Sequence, residues 1–162
     1  MSRRVLTCSS ILLFLFAFLL PLVSLAVGWY GWDARTGAVA GLVTFVALFL
    51  ASGILLLFVK SPSWLTVTLP LLFGYLYVIL PNLILGPFDD AFGALAGAAF
   101  TCLLWRRKQP QVSPWVFLPL ILSGLYPLVG GFIPGPLDEM TVFLVALTIT
   151  MVIVWRKMKR SP

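Results

Sequence analysis

The stretch Gly86-Pro87-Phe88-Asp89-Asp90 lies between two long apolar runs, and a close copy, Gly135-Pro136-Leu137-Asp138-Glu139, lies between two others. A reduced form, Gly31-Trp32-Asp33, occurs earlier in the chain. Glycine and proline favour turns, and the acids that follow favour the start of a helix. Because each corner joins two apolar runs of membrane-spanning length, the sequence predicts three consecutive helical hairpins with acidic tips.

The composition is typical of an integral membrane protein. Of the 162 residues, 61% are hydrophobic and 10% are charged, and the mean hydropathy is +1.09. A soluble domain needs charge on its surface, whereas windows such as 11–31 and 37–59 contain no charged residue. We therefore expect a single, all-α membrane domain over residues 1–162, with hairpins at about 9–60, 64–107 and 114–157.

The charged residues sort into alternate gaps between the apolar runs. All 5 acids lie in one set of gaps together with Arg35. The other gaps and both ends hold the remaining bases: Arg3, Arg4, Lys60, Arg106, Arg107, Lys108, Arg156, Lys157, Lys159 and Arg160. Since basic residues favour the cytoplasmic side, this pattern predicts six transmembrane helices with both termini cytoplasmic, in the cell (inner) membrane.

The net charge of +6 bears on the partners of the chain. Because the bases are grouped on one predicted membrane side, they favour the lipid bilayer, with anionic lipids at the cytoplasmic face, over nucleic acid. The first helix has an alternative interpretation. Residues 11–27 also fit the apolar part of a signal peptide, but the run continues through Gly28, Trp29 and Tyr30, which favours a retained helix.

Similar segments recur along the chain. Gly37-Ala38-Val39-Ala40-Gly41 resembles Gly93-Ala94-Leu95-Ala96-Gly97, and an aspartate precedes the first glycine of each by the same number of residues. Pro70 and Pro119 also lie at equal distances before their Gly-Pro corners. We interpret this as an internal triplication with copies of the same orientation. The alternative is a chance likeness between apolar sequences of low complexity.

Two groups of residues predict helix anchoring and helix packing. All six tryptophans fall at predicted span ends, as in an interfacial belt: Trp29, Trp32, Trp64, Trp105, Trp115 and Trp155. Gly93 and Gly97 form a GxxxG pair with Ala94 and Ala98 beside it. Such a small-residue face lets another backbone approach closely, either within the bundle or in a homo-oligomer or complex with another membrane protein.

The acids are the candidate metal ligands. If the corners met, Asp33, Asp89, Asp90, Asp138 and Glu139 could hold Ca²⁺ or Mg²⁺ through carboxylate oxygens. The interpretation that we favour is helix capping, in which a carboxylate accepts from the free N–H groups of a helix start. Histidine is absent, and no charged residue lies in the middle of a predicted span. We therefore expect neither an enzyme nor a cofactor.

The segment from Tyr75 to Asp90, with Pro81 near its middle and the Gly86-Pro87 corner before Asp89-Asp90, resembles the hairpin of the YkvA-like small membrane proteins. The stretch 126–139 resembles a second, looser copy. The sequence departs from the family where Asn82 directly follows Pro81, and its turn is shorter. The resemblance implies a membrane hairpin and no particular activity.

Two functions agree with these features. The first is a non-catalytic polytopic membrane protein that acts as an accessory or assembly partner through helix packing. The alternative is a small permease or channel for a neutral or weakly polar solute. Its lining would come from scattered polar side chains: Thr44, Ser52, Thr66, Thr68, Asn82, Thr101, Ser123, Thr148 and Thr150. A polar cavity near the midplane favours the second function, and a filled apolar bundle counts against it.

Overall fold

The computed structural model describes residues 3–31, 33–79, 87–129 and 137–160. These ranges contain six α-helices and a 3-10 turn, with no β-strand among them. The helices are α1 (Arg3–Gly31), α2 (Ala34–Leu57), α3 (Trp64–Ile79), α4 (Pro87–Lys108), α5 (Leu118–Val129) and α6 (Leu137–Arg160). The 3-10 turn, Pro114–Phe117, leads directly into α5. The all-helical prediction is confirmed for the described residues.

Among the described residues, three helices are long and apolar enough to cross a membrane: Arg4–Gly31, Arg35–Leu57 and Asp138–Lys157. The described parts of α3 and α5 are shorter, with 16 residues in α3 and 12 in α5. The segments that follow α3 and α5, 80–86 and 130–136, contain most of the two Gly-Pro corners and lie outside the described residues.

Consecutive helices are neighbours in space. Helix α1 packs on α2, α3 on α4 and α5 on α6, so both helices of each predicted hairpin are in contact. Helix α4 also contacts α2 and α5, which places it at the centre of the bundle. Helix α5 packs more extensively on α4 than on α6. The reason is Gly124 of α5, where a Cβ would lie 3.1 Å from the Leu95 nitrogen, so the two backbones come close together.

Aromatic rings fill the space between α1, α2 and α3. Phe14, Phe45 and Phe49 are completely buried. The ring of Phe14 stacks on Phe73 with 4.8 Å between centroids, and that of Phe45 stacks on Tyr77 at 4.0 Å. Stacked and edge-on rings of this kind stabilise the packing of the three helices.

Glycines bring the two helices of the first hairpin into backbone contact. A Cβ on Gly37 of α2 would lie 2.7 Å from the Ser24 carbonyl oxygen of α1. A Cβ on Gly41 would lie 3.2 Å from the Pro21 carbonyl oxygen. The spacing of the two glycines places both on the face that α2 turns toward α1.

Glycines also bring the two helices of the second hairpin into backbone contact. A Cβ on Gly93 of α4 would lie 3.3 Å from the Gly74 carbonyl oxygen of α3, and one on Gly97 would lie 2.5 Å from the Pro70 carbonyl oxygen. In both hairpins, therefore, the second glycine of the GxxxG pair lies against a proline carbonyl of the preceding helix. The third hairpin differs, because α6 contains no glycine.

Candidate functional site at the basic end

The described bundle has ends of opposite charge. Asp33 caps the start of α2, and Asp138 and Glu139 lie in the first turn of α6. The last turn of α4 contains Arg106, Arg107 and Lys108, and α6 carries Arg156 and Lys157 near its end. Helix α4, with Asp90 near its start, and helix α6 thus run from acid to base, whereas α2 carries Arg35 next to its acidic start.

Contacts between helices bring the bases together. The Ser10 hydroxyl of α1 donates to the Ser52 carbonyl oxygen at 2.8 Å, which places the start of α1 beside the end of α2. The Lys108 ammonium donates to the Pro62 carbonyl oxygen at 3.0 Å, so the end of α4 lies beside the segment between α2 and α3. We call this the basic end, defined by Lys60, Arg106, Arg107, Lys108, Arg156 and Lys157.

The acids at the other end bind to nearby groups of the chain. Asp33 is exposed, and its Oδ2 accepts from the Thr36 backbone nitrogen at 3.4 Å. Asp138 is buried, and its two oxygens accept from the Tyr126 hydroxyl at 3.3 Å and from the Glu139 nitrogen at 2.9 Å. Asp90 is buried as well. Within the described ranges no group of three or more metal-ligating residues occurs, and the Asp89 side chain lies outside them.

The small-residue face of α4 is used inside the chain. Gly93, Ala94, Gly97 and Ala98 are all buried. The two glycines meet α3, and the backbone of Ala94 meets Gly124 of α5. The sequence left open whether this face packs within the bundle or against another protein. In the structure it packs within the bundle. This face is therefore not available to a second protein.

The tryptophans do not all have the same environment. Trp29, Trp64, Trp115 and Trp155 are exposed, and Trp32 lies outside the described residues. Trp105, by contrast, is 4% exposed. Its ring packs against those of Trp64 at 4.9 Å and Phe117 at 5.6 Å. Trp105 therefore belongs to the interior of the bundle.

Trp105 forms part of an open groove between α3 and α6, with a volume of about 610 Å³. We call it the tryptophan groove; its lining is Trp64, Leu65, Thr68, Trp105, Met151, Val152, Val154 and Trp155. The Thr68 hydroxyl donates to carbonyl oxygens of its own helix, and the buried Trp105 indole nitrogen has no hydrogen-bond partner among the described residues. The groove is thus almost entirely apolar.

A cation is held beside this groove. The Lys108 nitrogen lies 4.3 Å from the centroid of the Trp64 ring, within the range of a cation–π interaction. Its hydrogen bond to Pro62 fixes it there as well. Arg156 and Lys157 follow Trp155 directly and are exposed. Positive charge therefore flanks an apolar groove at the basic end.

Sequence reasoning did not predict the tryptophan groove. Three tryptophans occupy span ends on the same predicted side, and this pattern could have indicated the groove: Trp64, Trp105 and Trp155. The missing information was the contact between α3 and α6, since these helices are far apart in the chain.

The hydroxyl groups proposed for a solute path mostly bond within their own helices. Thr44, Ser52, Thr148 and Thr150 each donate to a carbonyl oxygen three or four residues earlier. The Ser123 hydroxyl likewise donates to the Leu120 carbonyl oxygen, and it also bonds to the Tyr75 hydroxyl, which joins α3 to α5. The Thr101 hydroxyl is buried without a partner in the described part of the chain, and Asn82 lies outside it.

No family model matches the chain, and no curated protein or solved structure matches it either.

Proposed function

We propose that the chain is a six-span protein of the cell (inner) membrane with both termini on the cytoplasmic side. The separation of bases and acids to opposite ends of the bundle supports this orientation, since basic residues favour the cytoplasmic face. The exposed surface of α1 supports insertion, because it carries large apolar side chains along its length, including Leu12, Leu19 and Val27. In water such a surface would be costly to expose.

We further propose that the protein acts without catalysis, as an accessory or assembly partner in the membrane. The observation that carries this is the lining of the tryptophan groove, which consists of apolar side chains and one threonine. A groove of this kind can hold an apolar group but offers no acid or base for proton transfer. Since the small-residue face of α4 is occupied within the chain, the outer surface must supply the contacts with any partner.

Internal repetition and a YkvA-like hairpin form part of this proposal. The first helix of each of the first two hairpins contains a proline inside it, Pro21 and Pro70. The matching contacts of Gly41 with Pro21 and of Gly97 with Pro70 support a common origin for the first two hairpins. In the third, α6 instead presents Phe143, whose ring stacks on Tyr75 at 3.5 Å.

The accessory role is tested by purifying the tagged full chain from its native membrane in a mild detergent and measuring the mass of the particle. Resistance of the protein to alkaline carbonate extraction is measured first. We expect a discrete complex heavier than the 17.8 kDa chain with its detergent. A lone chain under every mild condition would contradict the accessory role while leaving membrane insertion intact.

A small permease or channel for a neutral solute is the second proposal. It is favoured by the buried Tyr75–Ser123 pair between α3 and α5 and by the buried hydroxyl of Thr101. The stacked rings between α1, α2 and α3 count against a path there. Solute-driven swelling of liposomes that contain the chain would support this function, and swelling equal to that of protein-free liposomes would oppose it.

A further inference from the structure

We propose that the tryptophan groove binds one anionic glycerophospholipid of the cytoplasmic leaflet, with an acyl chain against the indole rings and the phosphate beside Lys108. This inference rests on the proposed membrane orientation and goes beyond the accessory role. In that orientation the groove opens on the lipid-facing surface, so its occupant is drawn from the bilayer itself.

The shape of the groove suits a hydrocarbon chain better than a protein helix. Its lining covers residues 64–68 of α3 and 151–155 of α6, which at 1.5 Å per residue is a length of about 6 Å on each helix. A helix bound in a groove uses anchors up to seven residues apart, a span of about 10 Å. An acyl chain is flexible and can lie in the groove with only part of its length, and it needs no hydrogen-bond partners from the apolar lining.

The position of the charge matches a lipid headgroup. Trp64 is the first residue of α3, so Lys108, which lies over its ring, is at the cytoplasmic end of the groove. An ammonium has three N–H donors, and Pro62 accepts from one of them. A phosphate oxygen is a suitable acceptor for another. Arg156 and Lys157 add positive charge at this end, and basic pockets between transmembrane helices on the cytoplasmic side are typical sites for anionic headgroups.

The net charge of the lipid should matter as well as its phosphate. Phosphatidylcholine has the same phosphate but carries a choline cation, which the surrounding bases repel. Phosphatidylglycerol lacks that cation. The structure therefore predicts a preference for phosphatidylglycerol at this groove, whereas general solvation by lipid would show little difference between the two.

The test uses the full chain in nanodiscs of mixed phosphatidylglycerol and phosphatidylcholine. Lipids that stay bound after transfer to detergent are counted by native mass spectrometry. In parallel, quenching of tryptophan fluorescence is compared for the two lipids brominated on the acyl chain. We expect retained phosphatidylglycerol, and stronger quenching by its brominated form.

Two pairs of variants locate the site. Val152→Trp fills the groove, and Val43→Trp places the same residue on the exposed surface of α2 as the control.

The second pair tests the charge. Lys108→Gln removes the cation beside Trp64, and Lys60→Gln removes an equal charge at the same end, outside the groove lining. Because a base near the membrane contributes about a fivefold change in affinity for an anionic lipid, we expect Lys108→Gln to reduce retention about fivefold and Lys60→Gln to reduce it less than twofold.

The outcomes separate this inference from the proposals on which it rests. Equal retention in Val152→Trp and Val43→Trp, or equal losses in the two lysine variants, would overturn the lipid site. A change in oligomeric mass in Val152→Trp with lipid retention unchanged would also overturn it, since the groove would then hold a second copy of the chain. Circular dichroism and size exclusion show whether each variant is folded. Extraction of the wild-type chain by carbonate would contradict the membrane orientation itself.

Discussion

The Pro70 carbonyl oxygen of α3 lies against Gly97 of α4, where a Cβ would come within 2.5 Å of it. The Gly74 Cα would also lie 3.3 Å from that Cβ. Both neighbours are backbone atoms, so they cannot move aside without a shift of a whole helix. The crossing of α3 and α4 therefore depends on the absence of a side chain at position 97.

Substitution of Gly97 should loosen this crossing. We expect Gly97→Ala to lower the free energy of unfolding by about 1–3 kcal/mol, the usual cost of overpacking, and Gly97→Leu to lower it further. The measurement is unfolding by a denaturing detergent, followed by circular dichroism. Gly31→Ala is the control, because a Cβ there has nothing within 4 Å. Equal stability of the two alanine variants would contradict the contact.

Gly53 offers a contrasting case, because its neighbour is a side chain. A Cβ on Gly53 would overlap the outer edge of the Phe100 ring, which a smaller residue at 100 would relieve. We expect Gly53→Ala to destabilise the wild type but to cost less in a Phe100→Leu background, with a coupling of about 0.5–3 kcal/mol in a double-mutant cycle. Purely additive effects would show that the ring moves aside freely.

The sequence predicted the helices better than it predicted the contacts between them. The corner acids and the terminal bases mark the helix ends clearly, because they are charged and the runs beside them are apolar. Helix faces are different, since lipid and bundle interior are both apolar and the pattern of residues does not separate them. Hence Trp105 could be placed at a helix end but not in the interior, and the Gly93–Gly97 pair indicated close packing without indicating α3 as its partner.

Capping by Asp33 predicts a loss of stability when its carboxylate is removed. Its Oδ2 accepts from the Thr36 nitrogen and lies at the positive end of the α2 dipole. We expect Asp33→Ala to lower the free energy of unfolding by about 1 kcal/mol, and Asp33→Asn to lower it much less, because asparagine is a good N-cap. If Asp33 instead bound Ca²⁺, added calcium would raise the unfolding midpoint of the wild type and not of Asp33→Asn.

Tyr75 makes two contacts that substitution can separate. Its hydroxyl bonds to Ser123, and its ring stacks on Phe143. We expect Tyr75→Phe to cost about 0.6 kcal/mol, as for other hydrogen bonds between membrane helices, and Tyr75→Ala to cost about 3–5 kcal/mol through loss of the ring. Tyr30→Phe is the matched control, since Tyr30 is 91% exposed. A loss for Tyr75→Phe as large as that for Tyr75→Ala would mean that the hydroxyl pair with α5, and not the ring stack on α6, supplies the stability that Tyr75 contributes.

The orientation of the bundle can be tested with one pair of matched variants. Arg35 and Arg107 are both exposed, the first beside the acidic start of α2 and the second at the basic end. With Cys8 and Cys102 replaced by serine, Arg35→Cys and Arg107→Cys each provide a single thiol. We expect an impermeant maleimide to label position 35 in intact cells and position 107 only after permeabilisation.

The physical basis of this expectation is the cost of placing charge in the bilayer. A single basic side chain at the membrane centre costs about 2.5–3.5 kcal/mol on the insertion scale, so the run Arg106 to Lys108 should stay on the side where it is synthesised. Labelling of position 107 in intact cells would contradict the proposed orientation. Labelling of both positions in intact cells would mean that an even number of membrane crossings separates them. The three-hairpin topology places three helices between them, α2, α3 and α4, and would then be wrong.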